Sequence, residues 1–137
     1  MPEGVGYGPQ DTASVGKNLN VIGNHAYAHS GLIQINTAEV LHLEFTTGQY
    51  LLVGPMQFQG ATKADDPATG KSSIFTVNFN GIAVAGVKVD SAVEGMPSVI
   101  NLDFVIPPYT VVVVTCRSPA TTAGLDTAVI MSGRIYK

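Results

Sequence analysis

The chain has 137 residues, a net charge of -3, and only 12% Asp, Glu, Lys and Arg, against roughly 25% in an ordinary soluble domain. That length fits one domain, the single cysteine rules out an internal disulfide, and no stretch reaches the roughly 18 apolar residues of a membrane-spanning helix. The seven basic residues are scattered rather than clustered, so no phosphate-binding surface is expected, and the mean hydropathy of +0.25 points to apolar surface buried against other subunits.

Residues 1–17 form a Gly- and Pro-containing arm, MPEGVGYGPQ and beyond, with neither a basic start nor an apolar run, so no secretory signal is visible. The arm reads as an extension that reaches a partner, and residues 18–137 read as one body. From Leu19 onward every signal is strand or turn. Leu19 to Ile22 and Tyr27 to Ile35 are short β-prone runs broken at Gly23-Asn24 and Ser30-Gly31. Val40 to Thr46 alternates, with Leu41, Leu43 and Phe45 predicted on one face and His42, Glu44 and Thr46 on the other. Thr47-Gly48 turns the chain into Tyr50 to Phe58, where Gly54-Pro55 predicts a bulge or an edge position. Residues 60–73 are the most polar stretch and read as a long exposed loop.

Asn80-Gly81, set between alternating apolar runs, predicts a two-residue hairpin, because a type I′ turn needs positive φ at both central residues. Phe79 would then face Ile82, and Val77 would face Val84. Val87 and Val89 fall on the opposite parity, so a bulge near Ala85-Gly86 is predicted. Ser91 to Pro97 is a connector. Ile100, Leu102, Phe104 and Ile106 alternate with polar residues in a half-buried strand, and Pro119 to Asp126 is a loop before a closing strand, Thr127 to Tyr136.

Between those two strands runs Tyr109 to Cys116, with Val111, Val112, Val113 and Val114 in succession. Neighbouring strand side chains point to opposite faces, so this strand is apolar on both. One face meets the core; the other needs a covering layer or subunit, which makes Tyr109, Val111, Val112, Val113 and Val114 the candidate self-association residues. About eight short strands without helices predict an all-β fold, a jelly-roll-like antiparallel sandwich with an extended N-terminal arm.

Catalytic patterns are weak. His25-x3-His29 would reach one metal on a helix, but on a strand the two residues lie about 13 Å apart. No His-x-His pair exists and no histidine follows His42, which argues against a metal cupin. Neither a Gly-x-Ser-x-Gly elbow nor a phosphate-cradling loop is present. Asp65-Asp66 reads as a solvated loop tip, and Cys116 as a buried inert thiol. The expectation is a non-enzyme with no cofactor, no metal, no nucleic acid and no membrane partner.

The N-terminal arm, LEFTTGQYLLVG, IPPYTVVVVTCRS and the terminal AVIMSGRIYK together resemble small head decoration, or cement, proteins of tailed bacteriophages. The resemblance covers nearly the whole chain and rests on the order of these segments. It implies a homotrimer on the outer surface of the virion capsid, assembled in the host cytoplasm and clamping the phage major capsid protein. Arm residues Pro2, Val5, Tyr7, Pro9 and Val15 would make the capsid contact. A host-glycan-binding jelly roll of a tail fibre or baseplate is the alternative.

Overall fold

The computed structural model describes residues 19–62, 71–91, 99–118 and 125–136. The arm with Pro2, Val5, Tyr7, Pro9 and Val15, the Asp65-Asp66 pair and residues 92–98 and 119–124 lie outside the described residues. Ten strands follow one another: β1 (Asn20–Ile22), β2 (His25–His29), β3 (Ile33–Ile35), β4 (Val40–Thr46), β5 (Leu51–Thr62), β6 (Lys71–Phe79), β7 (Ile82–Ser91), β8 (Val99–Ile106), β9 (Val111–Arg117) and β10 (Leu125–Tyr136).

Their pairing is nested about the Asn80-Gly81 turn. Working outward, β6 pairs with β7, β5 with β8, β4 with β9, and both β2 and β3 with β10, all antiparallel. Cross-pairing of β6 with β9 and of β5 with β10 closes these pairs into two sheets, β4-β9-β6-β7 and β1-β2-β10-β5-β8, with β3 beside β10. This is the predicted jelly-roll sandwich. It has ten strands rather than about eight in part because the run read as Tyr27 to Ile35 is interrupted into β2 and β3. At the interruption Ser30 N–H donates to Val129 O (3.0 Å) and the Ser30 hydroxyl accepts from Val129 N–H (2.9 Å), so the side chain carries the ladder past the break.

The inward rows make the core. Leu43, Leu52, Met56, Phe58, Phe75, Val77, Val89, Ile106, Val112, Val114 and Met131 are fully buried between the sheets, with Phe58 and Phe75 packed as a tilted pair, ring centroids 5.2 Å apart. Apolar burial at this scale is what folds the chain.

Four local predictions differ from the structure in detail. First, the Asn80-Gly81 turn forms, with φ of 52° and 83°, and the bulge expected near Ala85-Gly86 is present, but it falls at the neighbouring residue, so Val77 does not face Val84. Val77 pairs with Ala85 and Asn78 with Ala83, so Val84 is the extra residue, and the slip turns Val87 and Val89 inward. Second, His42 is fully buried instead of sharing the outward face of Glu44. Leu41 pairs with Thr115 and Leu43 with Val114, which makes His42 an extra residue whose side chain enters the core. Third, Gly54-Pro55 marks neither a bulge nor an edge, since β5 is flanked by β10 and β8 and its register to both is the same on either side of the pair. Here the β10 ladder is interrupted between Met131–Met56 and Arg134–Val53, because Pro55 has no N–H to give, while pairing to β8 continues through Gly54–Phe104 and Pro55–Asp103. Gly54 and Gly133 let the two backbones pinch together: a Cβ on Gly54 would fall 2.3 Å from Ser132 O. The 60–73 loop is also shorter than read, since β5 runs to Thr62 and β6 starts at Lys71.

Candidate interaction surface

Among the buried polar residues, a His, a Thr and a Cys meet in the core. His42 Nδ1 lies 2.9 Å from Val40 O, which can only accept, so Nδ1 carries the proton and Nε2 accepts from Thr127 Oγ1–H at 2.7 Å. The ring stands edge-on to Phe75 at 5.9 Å. Cys116 borders this pair, and burial pushes its thiol up to about 12, against weaker opposing hydrogen bonds from Thr127 and the Ile74 backbone. A thiol held protonated and closed off by two sheets is no nucleophile. The cluster satisfies the polar atoms that the β4 bulge carries inward and is structural.

His25 and His29 are exposed on β2 on either side of Tyr27, in a strand and not a helix. Among the described residues no group of three His, Cys, Asp or Glu side chains is placed to hold a metal.

The end of the sandwich carrying the short turns is different. Three connections converge there: the turn after β4, the Asn80-Gly81 tip and the Pro107–Thr110 corner. Buried Thr47 joins the first to the third. Its N–H donates to Thr110 O (3.1 Å), its hydroxyl donates to Pro107 O (2.8 Å), and that oxygen accepts from Thr110 N–H (3.0 Å). Asn80 joins the second to the third, its N–H donating to Val111 O (2.9 Å) and its Oδ1 accepting from Val111 N–H (2.8 Å). Tyr109 N–H donates to Gly48 O, which holds Tyr109 at φ 57°, a left-handed conformation that costs an L-residue roughly 1–2 kcal/mol.

On this braced corner apolar side chains face outward. Tyr109 is 70% exposed and Val111 40%, whereas Ile82, also exposed, pairs with Phe79 and through it lines up with Val112, so it lies at the rim of the inner face rather than beside Val111. A bulky residue in the left-handed region with its ring in solvent is an outlier that local packing does not require. The outer row of β9 continues the patch through half-buried Val113. Of the five self-association candidates, Tyr109, Val111 and Val113 therefore present surface. Val112 and Val114 point into the core and are fully buried, so they have none to offer a partner.

The outer face of the six-stranded sheet is mixed. His25, Tyr27 and His29 on β2 lie beside Arg134, Ser132 and Ile130 on β10, all exposed, and exposed Tyr136 ends the row. Neither sequence patterning nor spacing singled this face out, because strand partners distant in the chain assemble it.

No protein-family model matches this chain, and no curated protein does. Solved structures similar to this chain include two of low identity. One is a family 35 carbohydrate binding module from an environmental isolate, with 10% identity and a TM-score of 0.43, covering 79% of this chain and 74% of that one. The other belongs to infectious bursal disease virus strain Gx, with 13% identity and a TM-score of 0.41, covering 82% of this chain and 28% of that one. The jelly-roll assignment rests on the strand order above.

Proposed function

We propose that this chain is a non-catalytic structural protein of a virion, a decoration or cement protein that stabilises a phage head by clamping major capsid subunits. The observation that carries this reading is the exposed apolar corner of Tyr109 and Val111 on a hydrogen-bonded frame, in a chain with few charges. A soluble monomer gains nothing from an aromatic ring fixed in solvent at a conformational cost; a protein that works by contact does. Tyr109, Val111 and Val113 make contacts between copies, grouped in threes as the sequence resemblance implies. Residues 2–16 bridge to the major capsid protein. Stabilisation is by mass action: a ligand that binds only the assembled shell deepens that state.

The test is co-sedimentation with undecorated heads. The full chain binds to saturation, the chain lacking residues 2–16 folds but does not bind, and Tyr109→Gly binds more weakly. Full occupancy by the truncated chain refutes the role of the arm.

A second reading has its own support. The face bearing Tyr27, Tyr136, His25, His29 and Arg134 offers rings and hydrogen-bonding groups of the sort that hold a glycan. A glycan array answered by the full chain and lost in Tyr27→Ala would favour this reading over the first.

A further inference from the structure

Each sheet of a sandwich ends in strands with one unpaired side, and proteins guard these against pairing with other chains by shortness, bulges, Pro or inserted charge. Among the described residues β1, β3, β4, β7 and β8 each have one unpaired side, and all but β8 are guarded, β3 by its length of three residues. β1 has three residues. β4 is bulged at His42, and β7 is bulged at Val84 and carries Gly86 and Lys88. The remaining one, β8, is eight residues long, VINLDFVI, with no Pro, Gly, Lys or bulge and a single charge, Asp103, and its register to β5 is unbroken from Val99 to Ile106. Among the described residues β5 is its one strand partner. Alternate N–H and C=O groups of β8 point away from β5, toward that open side.

The core is also unfinished along this strand. Ile100, Leu102 and Phe104, the inward row of β8, pack against the core but remain half-buried. Val99 and Val105 on the outer row are 45% and 62% exposed.

The sequence of β8 is complementary to itself when reversed. Placed antiparallel to a second copy with Leu102 opposite Leu102, Val99 meets Val105, Ile100 meets Phe104, and Asn101 meets Asp103. The apolar pairs match on both faces, and the one charged residue meets an amide that can donate to it. Each pair occurs twice, as a two-fold axis requires. We propose that β8 is an interface with a second copy of this chain, in which two β8 strands pair antiparallel about Leu102 and join two six-stranded sheets into one continuous sheet. The half-buried rows of Ile100 and Phe104 from the two copies then cover one another. This contact is isologous and separate from the Tyr109 corner, so it links copies two by two whatever grouping that corner makes.

The register makes the test specific. Asn101 and Asp103 are exposed on the outer row, so substitution leaves the core alone. Directly opposed strand residues lie about 4.5–5.5 Å apart at Cα, within disulfide reach, whereas diagonal ones lie about 7–8 Å apart, outside it. Full-length Asn101→Cys and Asp103→Cys chains, mixed and oxidised, should give a cross-linked dimer on a non-reducing gel, and neither should do so alone. In sedimentation velocity, Asn101→Asp should weaken self-association about tenfold, since two symmetry-related pairs each exchange an attraction for a repulsion. Asn101→Lys should leave it equal or tighter. No cross-link in the mixture overturns the proposal. So does equal weakening by Asp and Lys, or a full chain that pairs through β8 only after residues 2–17 are removed, which would assign the edge to the arm.

Discussion

β8 and β9 are consecutive, joined by the Pro107–Thr110 corner, and nearly equal in apolar content, yet they sit in opposite circumstances. β9 lies inside the four-stranded sheet, paired to β4 and β6, with Val112, Val114 and Cys116 sealed in the core. β8 lies at the margin of the six-stranded sheet, with one side unpaired among the described residues and three inward side chains half-covered. The run of four valines draws the eye in the sequence, but unmet apolar surface follows position in the sheet rather than hydrophobicity of the strand. On β9 it is confined to the outer row and to Tyr109; on β8 it extends along the whole edge.

That contrast can be broken by substitution. The largest effect should come from Val114→Asp, which buries an unpaired charge in the core and should cost more than about 4 kcal/mol, enough to leave the chain unfolded in a urea titration. Next is the alkaline limb. Cys116 ionises near 9 when unfolded but is pushed up to about 12 in the fold, so the folded state holds this proton more tightly over that window. Its contribution to stability is intact below pH 9 and is lost as pH rises toward 12. Unfolding midpoints should fall over that range in the parent and less so in Cys116→Ala, and the thiol should resist alkylation at neutral pH until the chain unfolds. Equal alkaline loss in both proteins would contradict its burial between the sheets.

Smaller effects belong to the corner that joins the two strands. Thr47→Val leaves the buried Thr110 N–H without its side-chain acceptor and should cost about 1–3 kcal/mol in denaturant unfolding. Tyr109→Gly should act in the other direction. Relief of left-handed strain, less the extra entropy of a glycine in the unfolded chain, should stabilise the protein by about 0.5–1 kcal/mol while weakening head binding. The smallest effect is expected on β8, where Val105→Ala should change monomer stability by less than about 0.5 kcal/mol yet reduce self-association.

Much of the architecture is legible in the sequence because it is written locally. Strict alternation over Ile100 to Ile106 places an inward row, and Asn80-Gly81 fixes a turn through the backbone conformations it permits. What escapes notice depends on partners far along the chain. His42 looks outward by parity; only the β4–β9 register, which skips a residue there, shows it turned into the core. Pro55 reads as an edge signal, yet the missing hydrogen bond falls at a gap in the β10 ladder that Gly54 and Gly133 make tolerable. The edge status of β8 has no sequence signature, because it depends on which strands close the sheet and where they stop. Tyr109 is within reach of sequence reading as part of the valine segment, but its left-handed backbone and exposure come from the Thr47 and Gly48 contacts across the corner.

On the proposed reading, binding runs through exposed apolar surface at the Tyr109 corner. Hydrogen exchange of the full chain, free and bound to undecorated heads, tests it most directly. Binding should slow exchange at residues 80–83 and 108–111 and leave the already sealed inner row of β9 unchanged. Identical exchange at those segments in the two states, with heads present in excess, would contradict it.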